Sequence, residues 1–179
     1  MILGPKILLG LVEKKKLVEG LSTRELTNPE GAGFDLRLSE VYKISGDAFL
    51  GETHRKTPDI TLVNQYTVGK NRSITVKPGE FYLVKTMETV NIPENITASI
   101  TPRSTTYRSG LFFRVGNVAP GYSGGLTFGM KNEGTIPITI EMGARIVHIQ
   151  FHEVKGGGSK YRGQWQGGRV TVRKKEHQV

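Results

Sequence analysis

The sequence predicts a mostly β domain of the sandwich, jelly-roll or distorted-barrel kind, opened by one short helix. Three observations predict it. From Phe34 onward the chain is a series of short stretches rich in Val, Ile, Thr, Phe and Tyr, divided by Gly, Pro and Asn. No helical segment lies between those stretches to carry a crossover, which argues against a parallel α/β sheet. Of the 179 residues, 23 are glycine, a proportion that suits closely spaced turns. One domain, residues 1–179, accounts for the length.

Taken in order, Pro5 stands where a first helical residue belongs, and Ile7, Leu8, Leu11 and Val12 follow at helical spacing before the polar run Glu13 to Lys16. This predicts a helical segment within residues 1–22. Asn28-Pro29-Glu30-Gly31 reads as a turn. Strands are predicted at Leu36–Ile44, Ile60–Val63, Ser73–Val76, Phe81–Thr86, Thr97–Ile100, Leu111–Val118, Leu126–Lys131, Ile136–Glu141, Ile146–Glu153 and Arg169–Val172. Lys77-Pro78-Gly79-Glu80, Ile92-Pro93-Glu94-Asn95, Asn132-Glu133-Gly134 and Met142-Gly143 supply the joints. Ser45–Asp59, rich in charge, reads as an exposed insertion. The glycines after Lys155 predict a flexible C-terminal arm over 155–179, in which Arg173, Lys174 and Lys175 read as plain surface charge.

Composition narrows the function classes. At 36% apolar and 23% charged residues the chain is neither disordered nor membrane-embedded. Its longest apolar stretch, Ile7 to Val12, is broken by Gly10, and the basic cluster follows that stretch instead of preceding it as in a signal peptide. A cytoplasmic protein with no membrane partner is expected. The absence of cysteine excludes disulfides, thiolate metal sites, a cysteine nucleophile and the zinc deaminase mechanism. The net charge of +9 fits a polyanionic ligand or simple solvation. Nucleic acid is not the expected partner, because the basic residues are dispersed and no aromatic-interleaved motif accompanies them.

Three stretches could carry chemistry. Thr101-Pro102-Arg103-Ser104-Thr105-Thr106-Tyr107-Arg108-Ser109-Gly110-Leu111 concentrates guanidinium forks, hydroxyls and backbone N–H groups, donors that suit phosphate oxygens or, equally, a polar surface turn. In Pro120-Gly121-Tyr122-Ser123-Gly124-Gly125 the glycines allow close backbone approach while the tyrosine presents a flat face; a plain hairpin has the same pattern. On the alternating strand from Gly143 to Phe151, Arg145 and Val147 are expected on one face, with Ile146, His148 and Gln150 on the other. His148 reads as a packed or interface histidine, since no serine or cysteine nucleophile motif accompanies it. His54, His152 and His177 show no metal-ligand spacing.

In order along the chain, Ala32-Gly33-Phe34-Asp35-Leu36, Arg103-Ser104, Pro120-Gly121-Tyr122-Ser123-Gly124, Gly143-Ala144-Arg145-Ile146 and the glycine-rich tail resemble the five motifs of the superfamily containing dUTP diphosphatase and dCTP deaminase. The opening helix, the run from Arg103 to Leu111 and the tail Lys160-Tyr161-Arg162-Gly163-Gln164 resemble the dCTP deaminase branch more closely. The resemblance implies a distorted jelly-roll barrel, a homotrimer with sites between subunits, and dCTP or dUTP as ligand, carried with Mg²⁺ and without zinc. By the same resemblance Arg103, Ser104 and Thr105 hold phosphates, Ser104 and Arg108 stand near the reacting base, and Tyr122 packs on the deoxyribose. Lys160, Tyr161 and Gln164 belong to an arm that closes over the triphosphate from a neighbouring subunit. Asp35 contacts magnesium through water. Trp165 either stacks on the base or merely packs.

The sequence departs from that pattern at its carboxylates. The aspartate that precedes the Pro-Gly-aromatic-Ser-Gly motif is replaced here by Ala119, and the glutamate of the following strand by Gly129. Neither residue accepts a proton, and a missing general base removes about 10² to 10⁴ in rate. Two readings follow: an enzyme of the dCTP deaminase or dUTP diphosphatase type, and a non-catalytic nucleotide-binding or regulatory homologue on the same scaffold.

Overall fold

The computed structural model describes residues 1–172 and 174–178. Arg173, expected to be surface charge, and Val179 lie outside the described residues.

Helix α1 (Pro5–Lys15) starts on the expected proline and ends at Lys16, whose left-handed backbone (φ 52°) caps it, with Lys14 and Lys15 at the negative end of the helix dipole. It buries Leu8. Strand β1 (Val18–Glu19) and a single-turn helix α2 (Thr23–Thr27) lead into the twelve-residue β2 (Phe34–Ser45). Next come β3 (Phe49–Leu50), β4 (His54–Lys56), β5 (Asp59–Gln65), β6 (Ser73–Val76), β7 (Phe81–Asn91) and β8 (Ile96–Pro102). Helix α3 (Ser104–Arg108) precedes β9 (Leu111–Arg114), β10 (Asn117–Val118), β11 (Ser123–Asn132), β12 (Ile138–Glu141), β13 (Arg145–Glu153) and β14 (Glu176–His177).

Nine strands form one antiparallel curled sheet in the order β10-β8-β13-β2-β7-β11-β9, with β1 on β7 and β5 on β2. The jelly-roll-like β architecture expected from the sequence is present. Alternation explains the core: along β7, Tyr82, Val84, Thr86, Glu88 and Val90 are buried while Phe81, Leu83, Lys85, Met87 and Thr89 face the other way. The inward set meets Phe34, Leu36, Leu38, Val41, Met130, Val147, Ile149 and Phe151, all fully buried. Among the described residues no helix is long and apolar enough to cross a membrane.

Several expectations are corrected. Leu111–Val118 is two strands with different partners, because β9 pairs with β11 while β10 crosses to β8. Arg169–Val172 is not a strand; its Thr171 and Val172 bond to Thr57 and Pro58 through side-chain hydroxyls instead of a ladder. Ser45–Asp59 is not a bare loop but holds β3 and β4, with β14 added to their edge.

Candidate functional site

Strands β2, β13 and β8 lie side by side, and their register brings Asp35, His148 and Thr101 into one row. Asp35 is the centre of a cationic cluster. Its Oδ2 accepts from Arg145 Nη1 at 2.9 Å and lies 3.2 Å from Arg103 Nε, while Oδ1 is 3.0 Å from His148 Nδ1. Arg24 Nη1 stands 4.0 Å from the same carboxylate. The Asp35 backbone N–H donates to Glu25 Oε2 at 3.0 Å, and Glu25 is also paired with Arg24. Burial alone would lift the Asp35 carboxyl; the hydrogen bond from His148 and the charges of Arg103 and Arg145 outweigh it and hold the carboxyl below its usual range.

The alternation expected for β13 fails at this spot. A register shift between Arg145 and Val147 buries both Ile146 and Val147, so Arg145 and His148 turn to the same carboxylate instead of to opposite faces. Asp35, expected to reach magnesium through water, has both oxygens engaged by this chain's own side chains, Oδ2 by Arg103 and Arg145 and Oδ1 by His148. Among the described residues no group of three or more histidine, aspartate or glutamate side chains is placed to hold a metal ion. The described residues thus offer no carboxylate set that fits a resident divalent cation.

Next to Arg103, the Ser/Thr run is helix α3. Arg103 is its N-terminal cap residue, and Thr106 Oγ1 donates to the Arg103 carbonyl at 2.6 Å. Ser104, Thr105 and Arg108 are exposed on it, and their side chains hydrogen-bond nothing else among the described residues. They are free to meet a ligand or another chain.

A second cluster forms at the Pro120–Gly125 turn. Tyr122, buried, donates its hydroxyl to the Gly125 carbonyl at 2.8 Å, and burial pushes that phenol up to about 12. Its ring meets Tyr161 edge to face, with centroids 5.4 Å apart. The tail is laid along this turn. Tyr161 N–H donates to the Pro120 carbonyl at 2.7 Å, Gly167 N–H to the Ser123 carbonyl at 2.8 Å, and Gln166 Nε2 to the Gly121 carbonyl at 3.2 Å. Gly124, at φ 148°, lies so close to Gly167 and Gly168 that a Cβ there would collide with their backbone. Lys160 runs over Gly121. Gln164 reaches Glu176 with Nε2 at 3.4 Å, and its buried Oε1 has no partner among the described residues.

Between turn, tail and the sheet lies a cavity of about 610 Å³. Ile100, Val118, Leu126 and Phe128 are part of its apolar lining, Tyr122, Tyr161 and Trp165 its aromatic walls, and Ala119 stands among them. Among the described residues Arg169 is the one charged residue lining it, and no Asp or Glu does. Thr127 Oγ1 is buried there without a partner among the described residues. At Gly129 the ring of Phe81, another lining residue, covers the place a side chain would take.

The structure therefore brings Asp35 to Arg103, and Tyr122 to Lys160 and Tyr161, but keeps the two groups apart. Val118 pairs with Ala98 and Val147 with Pro102. Ile100, between those two pairs on β8, lines the pocket, so two residues at about 3.3 Å each, roughly 7 Å of strand, lie between the pocket lining and Pro102 beside Arg103. The sequence reading missed Arg24, Glu25 and the pairing of His148 with Asp35. For Glu25 a signal was present, since Ser22-Thr23-Arg24-Glu25 has capping-box spacing and Ser22 Oγ accepts from Glu25 N–H at 3.5 Å.

Comparison with known proteins adds to this geometry. The family model for dCTP deaminase-like proteins matches residues 3–154. A dUMP-forming dCTP deaminase of Dictyoglomus turgidum is 30% identical over 178 residues, covering 92% of this chain and 91% of that protein. A probable deoxyuridine 5'-triphosphate nucleotidohydrolase of Methanothermobacter thermautotrophicus is 32% identical over 142 residues, covering 79% and 89%. The crystal structure of 2'-deoxycytidine 5'-triphosphate deaminase from Agrobacterium tumefaciens superposes with a TM-score of 0.66 at 21% identity, over 85% of this chain. This chain spans 48% of that structure's chain, and the likeness is one of fold.

Proposed function

Because the chain belongs to the dCTP deaminase-like family, we propose that it binds dCTP or dUTP and processes it, by deamination of dCTP to dUTP, by cleavage of dUTP to dUMP and pyrophosphate, or by both in turn. The observation that carries this reading is the pairing of chemistries along β8. Arginines oriented by Asp35 stand at one end and an aromatic pocket at the other. A triphosphate needs the first and a pyrimidine deoxynucleoside the second.

In this reading Arg103, Ser104 and Thr105 bind phosphate oxygens, with Arg145 beside them. Ser104 and Arg108 approach the base, Tyr122 packs on the deoxyribose, and Lys160, Tyr161 and Gln164 close over the ligand. Sites completed between subunits, in a homotrimer, belong to the same reading. Magnesium enters as the companion of the triphosphate, neutralising its charge, since the described residues supply no carboxylate set for it. A cytoplasmic location belongs to the same reading.

A second reading, a nucleotide-binding or regulatory homologue without turnover, is favoured by one observation: among the described residues no carboxylate lines the pocket. Deamination adds water at base carbon C4 and expels ammonia. Diphosphate cleavage adds water at the α-phosphorus and expels pyrophosphate. Each needs an acceptor for the proton of the water, and Ala119 and Gly129 supply none.

One experiment separates the readings. Purified protein is incubated with dCTP and dUTP plus Mg²⁺, the products are resolved, and binding of a non-hydrolysable dUTP analogue is measured in parallel. Formation of dUTP, or of dUMP with pyrophosphate, supports the enzyme. Binding without turnover supports the second reading, and absence of both rejects the nucleotide altogether.

A further inference from the structure

The insertion between β2 and β5 and the last residues of the chain form one unit. Glu176 stands opposite Arg55 and His177 opposite His54, whose rings are 4.2 Å apart. Gln178 N–H donates to the Thr53 carbonyl at 2.8 Å. Below this edge, Thr57 Oγ1 meets Thr171 Oγ1 at 2.8 Å and accepts from Val172 N–H at 2.8 Å, and Val172 is fully buried. Glu176 ties the unit to the pocket, accepting from Arg169 Nη2 at 2.8 Å and from Gln164 Nε2 at 3.4 Å. The Arg55 guanidinium lies 5.9 Å from the centre of the Trp165 ring. Arg169 and Trp165 are walls of the cavity, as are Thr57 and Pro58 from the insertion.

We infer that residues 46–58 are a clasp that holds the chain's own C-terminal tail shut over the apolar pocket, with Glu176 as the positioning residue that fixes Trp165 and Arg169 in the closed arrangement. Two paired residues on a short edge are a weak ladder, so this end of the tail opens before the barrel does. Access to the pocket then follows release of β14 from β4. The identity of the ligand admitted rests on the nucleotide reading above; the clasp itself does not.

Trp165 is the one tryptophan of the chain, so its emission reports the tail alone. Acrylamide quenching is measured without nucleotide on the wild type, on Glu176→Ala, on Glu176→Gln and on a chain ending at Val172, with far-UV circular dichroism to confirm the barrel. Quenching is expected to rise two- to threefold in Glu176→Ala and in the shortened chain, and to stay near wild type in Glu176→Gln, which keeps an acceptor for Arg169. Association of the non-hydrolysable dUTP analogue is expected to quicken about tenfold, the change in opening that one charge-assisted hydrogen bond supports. Unchanged quenching in the shortened chain overturns the clasp, and raised quenching with an unchanged association rate overturns its control of access. If no chain binds the analogue, the nucleotide reading fails and the quenching decides the clasp by itself.

Discussion

The ring of Phe81 lies 3.0 Å from the point where a Cβ on Gly129 would stand, and Arg114 Cβ lies 3.4 Å from it. The place where related sequences are expected to carry a glutamate is roofed, not merely vacated. Gly129→Glu should therefore cost about 1–3 kcal/mol in urea unfolding and release no ammonia from dCTP. In a Phe81→Ala background the added cost of the glutamate should fall below about 1 kcal/mol, a coupling that a double-mutant cycle reads directly.

Acid should dissolve the arginine cluster. The Asp35 carboxyl is held below its unfolded value, so its contribution is complete above the unfolded value near pH 4 and is lost as pH falls through the folded one. Asp35→Asn, which leaves Arg103 and Arg145 without their counter-charge, should lower stability by about 3 kcal/mol at pH 7. Melts repeated toward pH 2 should show the gap between variant and wild type closing.

A second buried pair behaves in the opposite sense. Glu88, fully buried on β7, accepts from Arg37 N–H at 2.8 Å and from Arg37 Nε at 2.7 Å, and burial pushes its carboxyl up despite those partners. With Arg37→Met the charge would be stranded, at a cost of about 3–5 kcal/mol near neutrality. A raised carboxyl means the folded state binds the proton more readily, so this loss should shrink on acidification and grow as pH rises. Denaturant midpoints compared between about pH 4, near the ordinary glutamate value, and about pH 8 are the measurement.

Tyr122 should separate stability from selection. Tyr122→Phe strands the Gly125 carbonyl and should cost about 1 kcal/mol while leaving the ring in the pocket wall. Tyr122→Ala removes the wall, and the preference for the dUTP analogue over its ribonucleotide counterpart should fall about tenfold in competition binding, as loss of close ring packing implies.

Much of the barrel could be read beforehand because its strands alternate residues that a half-buried pleat demands; Ser73–Val76 matches to the residue, β2 and β13 differ only at their ends, and β7 continues past the expected Thr86 to Asn91. Helix α3 was not legible, since Ser-Thr-Thr-Tyr-Arg has poor helix propensity and its turn is closed by Thr106 and Ser109 hydroxyls bonding back to carbonyls. The shift at Ile146 leaves no mark in an alternating strand, yet it decides that Arg145 and His148 share Asp35. The five ordered motifs pointed to Arg103, Tyr122 and the tail. Arg24 and the roof over Gly129 arise from contacts between segments distant in sequence, which no local pattern encodes.

The division of the site between the arginines held by Asp35 and the aromatic pocket has a genetic corollary. Under the proposed sharing of sites between subunits, one damaged chain spoils only the half-sites it contributes. Arg103→Ala, which loses phosphate binding, and Tyr122→Ala, which loses selection of the deoxyribose, would then complement each other when unfolded and refolded together, because a mixed assembly contains some junctions where both faces are intact. Two defective alleles could sustain one working protein.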